Sequence, residues 1–350
     1  MVVTSHPSHD GLSRRTLMKS AFGVAVGVAA LGSLGACARG AETASGKGFT
    51  FLSYLPMESL SMSPELMADA GGYFADQGLA VTFQTTKGSP QAIQTLVAGR
   101  APLTRIGAID VMTAAADGQP LVNVATLVRG SSIRILYHQD QPLSSPADFR
   151  GVKMGIPSEG GTSDKTLSLM MDTDGFDPKE VERQVVGLGP GTFELVKRGD
   201  IAGYMVSIDQ ALTAMKQYPG EAAVFDPGFS IRADSQVYAA TTSSIDEHGE
   251  MITKYLTAID NACQSIVDDD DLQASIETMR TKHSFAALDD DSIARDALEQ
   301  ARILWTRDGQ SELMTTDTAY WSEAYEQLVG AGMLRAGQDP SAWVSNDLLA

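Results

Sequence analysis

GYFADQGLAVTF, Gly72 to Phe83, is the stretch on which the reading of the chain turns. It reads as a helix end, a turn and a strand start. Gly78 suits the left-handed residue that closes a helix, and AVTFQTT (Ala80–Thr86) has strand composition. Working backward, Ser63 as N-cap, Pro64 at the first helical position and Glu65 next to it predict a helix over Ser63–Phe74. FTFLSYL (Phe49–Leu55) precedes it as a short apolar strand. Working forward, SPQAIQTLVAG (Ser89–Gly99) is a second capped helix. A strand over Leu103–Gly107, a helix over Asp110–Ala116 and a strand over Leu121–Val128 follow. Strands alternating with helices of this length imply a mostly parallel sheet covered on both faces.

The cycle then restarts. SSPADFRG (Ser144–Gly151) leads into VKMGIP (Val152–Pro157), and a Gly-rich turn feeds a helix within Glu159–Gly175. A strand over Val181–Gly189, a helix over Gly191–Gly199 and a strand over Ile201–Ile208 complete it. The fold class expected is therefore α/β, with two similar lobes. After a strand at Ser235–Ser243 the pattern becomes helical: Met251–Val267, Ser292–Leu304 and Thr318–Ala331 carry apolar residues at three- and four-residue spacing. The acidic runs Asp268–Asp271 and Asp289–Asp291 lack the Gly and distant Glu of a calcium loop and read as solvated helix ends.

The N-terminus points to export. SRRTLMK (Ser13–Lys19) places paired arginines before an apolar run, Ala21–Leu34, that is short for a membrane span. Paired arginines suggest the twin-arginine route. LGAC (Leu34–Cys37) resembles the lipobox of bacterial lipoproteins, which implies cleavage before Cys37 and a lipid on its thiol. Residues 1–36 are thus expected to be a signal, and 37–48 a lipidated Cys with a flexible tether. Only Cys263 would then remain as a thiol, with no internal disulfide, in a helical pattern that suggests a core position. The formal net charge of −18 argues against nucleic acid, which selects for Lys/Arg patches.

The ordered series GYFADQGLAVTF, KGSPQAIQTLVAGR (Lys87–Arg100), DGQPLVNVA (Asp117–Ala125), SSPADFRGVKMGIPSEGGTSD (Ser144–Asp164) and LGPGTFELVKRGDIAGYM (Leu188–Met205) resembles periplasmic substrate-binding proteins of ABC importers. The resemblance is in particular to the family that takes up sulfonates, nitrate and thiamine-precursor pyrimidines. It implies a type II binding-protein fold: lobe 1 from residues 49–137, lobe 2 from 138–235, and a return to lobe 1 with C-terminal helices over 236–350. The chain would cross near Arg129–Pro142 and return near Ser235–Thr241, with ligand between the lobes and closure driven by contacts made in one state only. Pro102, Ala202 and SIDQ (Ser207–Gln210) depart from the family pattern and leave the ligand open.

Open α/β sheets bind ligands beyond the carboxyl ends of their strands, where helix N-termini offer free N–H groups. Three turns qualify: Leu55–Ser61 with Met57 and Glu58, Gly88-Ser89, and Gly160–Asp164. In the last, Gly161 lets the backbone approach, and Thr162 and Ser163 add hydroxyls; plain helix capping explains the same residues. Glu58 would accept from a ligand amine or sit in solvent. Ile109 and Asp110 open the third helix, where Asp110 would meet ligand or, more readily, act as an N-cap. Ser131 and Ser132 lie at the first crossover. Arg134, alternating with apolar residues in SIRILY, would clamp a carboxylate or sulfonate or face solvent, and Arg105 is similar. Ser207 and Asp209 end the last strand of lobe 2. Tyr54 and Tyr204 would stack on a flat ligand or pack internally.

These residues suggest an exported, lipid-anchored receptor on the outer face of the cell membrane, or in the periplasm. It would capture a small organic anion of sulfonate or carboxylate type and deliver it to a permease with a cytoplasmic ATPase. A thiamine-precursor pyrimidine or other nitrogen heterocycle is the alternative ligand. A pyrimidine-synthase-like enzyme on the same fold is another reading. Its cysteine-rich motif is missing, and His138, His248 and His283, which remain after His6 and His9 leave with the signal, make no metal-like pair. An adhesin or sensor ectodomain is a third. Neither a cofactor nor a metal is expected, no catalytic residues stand out, and a monomer is expected.

Overall fold

The computed structural model describes residues 46–227, 235–306 and 313–349. The expected signal, Cys37 and most of the tether lie outside the described residues. Among the described residues no helix is long and apolar enough to cross a membrane.

The first lobe opens with β1 (Lys47–Ser53), two residues earlier than Phe49, so that Tyr54 and Leu55 are loop rather than strand. The expected helix over Ser63–Phe74 is two, α1 (Ser63–Ala70) and α2 (Tyr73–Asp76). The break falls at Gly72, whose φ of 85° takes the left-handed region open to glycine. β2 (Leu79–Thr85), α3 (Ser89–Val97), β3 (Leu103–Gly107), α4 (Ala108–Ala116) and β4 (Leu121–Val128) follow. The second lobe holds β5 (Ile133–His138), β6 (Lys153–Ile156), α5 (Thr162–Thr173), β7 (Glu182–Val185), α6 (Phe193–Lys197), β8 (Gly203–Ser207), α7 (Ile208–Gln217) and β9 (Ala222–Phe225). β10 (Gln236–Thr241) returns to the first sheet. The helices α8 (Thr242–Val267), α9 (Gln273–Arg280), α10 (Ala286–Asp289), α11 (Asp291–Thr306) and α12 (Thr318–Gly330) complete the chain.

Among the described residues two five-stranded sheets result, ordered β2-β1-β3-β10-β4 and β7-β6-β8-β5-β9. Each is parallel except for one reversed strand: β10 is antiparallel to β3 and β4, and β5 to β8 and β9. The reversal has a topological cause. Every other strand ends at the edge facing the opposite lobe. A chain arriving from that lobe enters at that edge and must run the other way, as β5 does after β4 and β10 does after β9. The two sheets are therefore topological copies, with β3 corresponding to β8 and the helices after them, α4 and α7, to each other.

Strand alternation puts Phe49 and Phe51 on one face of the first sheet and Leu52 on the other, as expected for a period of two. The Phe51 face packs under α1, α8 and α11, with Tyr238, Tyr255 and Leu256 fully buried. The Leu52 face packs under α3, α4 and α12 around Leu96, Met112 and Trp321. In the second sheet Ile135, Met154 and Met205 face α5, whereas Leu136, Tyr204 and Val206 face α6 and α7. Cys263 is buried in the first core as a free thiol.

Candidate functional site

The carboxyl ends of the parallel strands of both sheets point into one cleft. Three short segments of the first lobe reach it. The loop after β1 supplies Tyr54, Leu55 and Pro56; the turn after β2 supplies Thr86, Lys87 and Gly88; and the start of α3 supplies Ser89, Pro90 and Gln91. Opposite them stand Pro157, Ser158 and Glu159 after β6, Thr162 and Ser163 at the start of α5, and Val185, Gly187 and Leu188 at and beyond the end of β7. Between them lies a cavity of about 770 Å³. That is a size for a drug-sized ligand. Its charged lining residues are Lys87 and Glu159, both exposed at the mouth. Burial raises the Tyr54 phenol above its ordinary value; Arg105 opposes the rise, and Asp110 and Glu65 reinforce it. Tyr54 is therefore a neutral hydroxyl on an aromatic ring at physiological pH.

The cleft continues in two directions. Toward the crossovers, a narrow floor of about 40 Å³ is lined by Tyr54, Leu188, Ser132, Ser207 and Gln236. The buried Oε1 of Gln236 has no hydrogen-bond partner among the described residues. On the other side of Pro56 and Leu188 lies a second chamber of about 380 Å³, lined by Glu58, Tyr204, Gln210, Thr213 and Phe285. Pro56, Gly187 and Leu188 border both large chambers, so the two meet at a saddle.

The residues expected from the sequence distribute over this landscape unevenly. Ser89, Thr162 and Ser163 line the main cavity, with Gly161 as the N-cap residue of α5 beside them. Ser132 and Ser207 line the floor, and Glu58, Asp209 and Tyr204 the second chamber. Met57 packs against the first core, and Ile109 is buried in it under the Leu52 face. Neither lines the cleft cavities. Arg134 turns away: its guanidinium pairs with Asp226 at 3.1 Å and donates to Gln300 and to the carbonyls of Ser131 and Ile133. Burial lowers its pKa and Asp226 opposes that. Arg105 lies wholly in the core, paired with Glu65 at 3.0 Å. Both arginines expected to clamp an anion are thus committed to protein partners.

Asp110 and Asp209 are also committed. Asp110 accepts hydrogen bonds from the Thr162 hydroxyl and the Lys165 ammonium, each at 2.5 Å. Ser89 lies 3.1 Å from Thr162 Oγ1; since that hydroxyl's proton goes to Asp110, Ser89 is the donor. Asp209 accepts from the Leu60 N–H at 2.9 Å and from the Ser59 and Ser207 hydroxyls. Ser163 lines both the main cavity and the floor.

Several lining residues were not foreseen. Leu188, Ser158 and Val185 carry no chemical signature of their own. Lys87 and Gln91 flank the Gly88-Ser89 turn, and a wider window around that turn would have included them. Gln236 opens a strand read only as the return path. His138, His248 and His283 lie apart, against Asp140, Glu247 and Asp69 respectively. Among the described residues no group of His, Cys, Asp and Glu is arranged to hold a metal ion.

Comparison with known proteins bears on this geometry. Residues 60–271 match the family model described as NMT1/THI5 like. The formylaminopyrimidine-binding protein of Halalkalibacterium halodurans is 26% identical over 207 residues, which cover 59% of this chain and 62% of that protein, under two thirds of its length. The riboflavin-binding protein RibY of Chloroflexus aurantiacus is 23% identical over 305 residues, 85% of this chain and 84% of that protein. Among solved structures, the alkanesulfonate-binding protein SsuA of Xanthomonas axonopodis pv. citri, bound to MOPS, superposes with a TM-score of 0.67 at 13% identity. That match covers 86% of this chain and 98% of that one, and it establishes the shared two-lobe binding-protein fold.

Proposed function

Because the chain belongs to the NMT1/THI5-like family, we propose that it is the extracytoplasmic receptor of an ABC importer, capturing a flat nitrogen heterocycle of pyrimidine or flavin type between its lobes. The observation that carries this reading is the chemistry of the main cavity. Its walls are Tyr54, Leu55, Pro56, Leu188, hydroxyls and amides, with Lys87 and Glu159 the charged residues of the lining and no arginine among them. A ring stacked on Tyr54 and Leu188 would bury apolar faces. Its polar edge would meet hydroxyls, and an N–H would satisfy the unpartnered Oε1 of Gln236 at the floor. The names of the two curated relatives, which bind a formylaminopyrimidine and riboflavin, support the same ligand class.

A small organic anion is the second reading. Lys87 at the mouth and the start of α5 at Thr162 and Ser163 favour it, since helix N-termini attract anions. The rest of the proposal follows the sequence: twin-arginine export, cleavage before Cys37, lipid attachment there, and a monomer that hands ligand to a permease without chemistry of its own.

A thermal-shift screen of the chain from Ala38 onward tests the ligand class. The panel holds riboflavin, formylaminopyrimidines, alkanesulfonates, aromatic carboxylates and nitrate. Ligand at 100 times its dissociation constant adds about 2.7 kcal/mol, a shift of several degrees. A heterocycle that raises the midpoint supports the proposal. A shift by sulfonates alone moves the assignment to the anion, and no shift by any member rejects small-molecule capture.

A further inference from the structure

Asp110 and Asp209 occupy corresponding places in the two lobes. Each follows an isoleucine, in Ile109-Asp110 and Ile208-Asp209, in the first turn of the helix after the central strand of its sheet. Each reaches across the cleft to the helical segment that follows the first parallel strand of the other lobe, β6 or β1. Asp110 of α4 takes the hydroxyl of Thr162, first residue of α5, and the ammonium of Lys165 one turn on. Asp209 of α7 takes the Leu60 N–H and the Ser59 hydroxyl, where the chain after β1 turns into its first helix. Both carboxylates are buried, Asp110 fully and Asp209 to 2% exposure. We propose that the two form a reciprocal two-point latch, one carboxylate from each lobe, that holds the cleft closed and so sets how long a captured ligand stays. The part concerning ligand rests on the receptor reading above.

Gly107 supports this independently. Its φ of −68° and ψ of 141° are open to any residue, so its backbone does not require glycine. A Cβ there would lie 2.5 Å from Thr162 Cγ2 and 2.6 Å from Thr162 Oγ1, across the cleft, and 3.0 Å from Asp110 Oδ2 of its own lobe. Thr162 is β-branched, its χ1 is stiff, and its hydroxyl is bonded, so it has little room to yield. The two shortest of these contacts cross the cleft, so glycine at 107 makes room chiefly for the closed lobes. Opening the lobes separates Asp110 from Thr162 and Lys165, and Asp209 from Ser59 and Leu60. Their buried carboxylates then exchange protein donors for water.

The test reads lobe separation without any ligand, which keeps it distinct from a failure of the receptor reading. Nitroxide labels on Val97→Cys in the first lobe and Glu182→Cys in the second, both exposed, report the distance by double electron–electron resonance; Cys263 is buried. The chain from Ala38 onward would be compared with its Asp110→Asn, Asp209→Asn and Gly107→Ala forms. The latch predicts that each substitution moves the population from the short separation to a longer one. Gly107→Ala, at a backbone conformation any residue can adopt, should do so while still folding cooperatively, which covers the case in which an Asp variant fails to fold. A separation that stays the same in Gly107→Ala and in whichever Asp variants fold would overturn the latch, whether the parent distance is short or long.

Discussion

Arg105 and Glu65 make a fully buried ion pair beneath the cleft. Tyr238 donates to the same carboxylate at 2.7 Å, and Arg105 also donates to the Ser61 carbonyl. Burial pushes the Glu65 carboxyl up from its ordinary value, while Arg105 and Tyr238 pull it back. Removing one partner strands the other charge, so Arg105→Met should destabilise the protein by about 3–5 kcal/mol, read as a fall in urea midpoint. The double variant Glu65→Leu with Arg105→Met should recover most of that loss. A second residue-scale prediction concerns acid. Lys216 and Ser292 hold the Asp290 carboxyl well below the usual carboxylate range, with the Ile293 N–H adding to their effect. A depressed folded pKa gives stability that is present above the unfolded value, about pH 4, and lost as pH falls. The pair is solvent-accessible and screened, so the effect is small. Urea midpoints of wild type and Asp290→Asn should therefore differ at pH 7, the difference should begin to shrink only below about pH 4, and the pH 7 difference should shrink in high salt.

A Cβ on Gly155 in β6 would lie 2.6 Å from the Tyr204 Cβ in β8, so Gly155→Ala must push two neighbouring strands apart. Overpacking of this kind costs about 1–3 kcal/mol. The urea midpoint should fall, with the loss of far-UV signal beginning in the second lobe. Most elements were legible because their ends carry signals: Ser63-Pro64, Ser89-Pro90 and the glycines after each helix. α7 was not read, although Ser207 and Gln210 form a capping box at its start. Ser207-Ile208 looks like the continuation of an apolar strand, but the capping box ends the strand there and Ile208 packs against the first core. β9 is four half-buried residues without alternation, a segment that becomes a strand by pairing with β5. The reversed β5 and β10 carry no local mark of their direction, which comes from the lobe crossings.

At the scale of the whole molecule, the two-lobe architecture was legible and the division of labour in the cleft was not. Thr162, Asp110 and Asp209 stand at strand ends, where ligand contacts are expected, yet they bind the opposite lobe. Whether a strand-end polar group meets ligand or protein depends on how closely two lobes approach, and no local pattern encodes that distance. The same applies to Leu188, an unremarkable apolar residue until it forms the saddle between two chambers. A receptor whose main cavity is walled by Tyr54, Leu55, Pro56 and Leu188, with Lys87 and Glu159 as its charged residues, should hold a ring by its faces and edges. The most direct test is titration calorimetry on the chain from Ala38 onward, unfolded and refolded to strip any co-purified ligand. Riboflavin and a formylaminopyrimidine would be titrated into wild type and into Leu188→Trp, whose indole fills the saddle. The account predicts one-to-one binding of a heterocycle by wild type, weakened tenfold or more by the substitution, about 1.4 kcal/mol. Equal affinity in the filled variant, or no binding of either heterocycle to wild type, would contradict it.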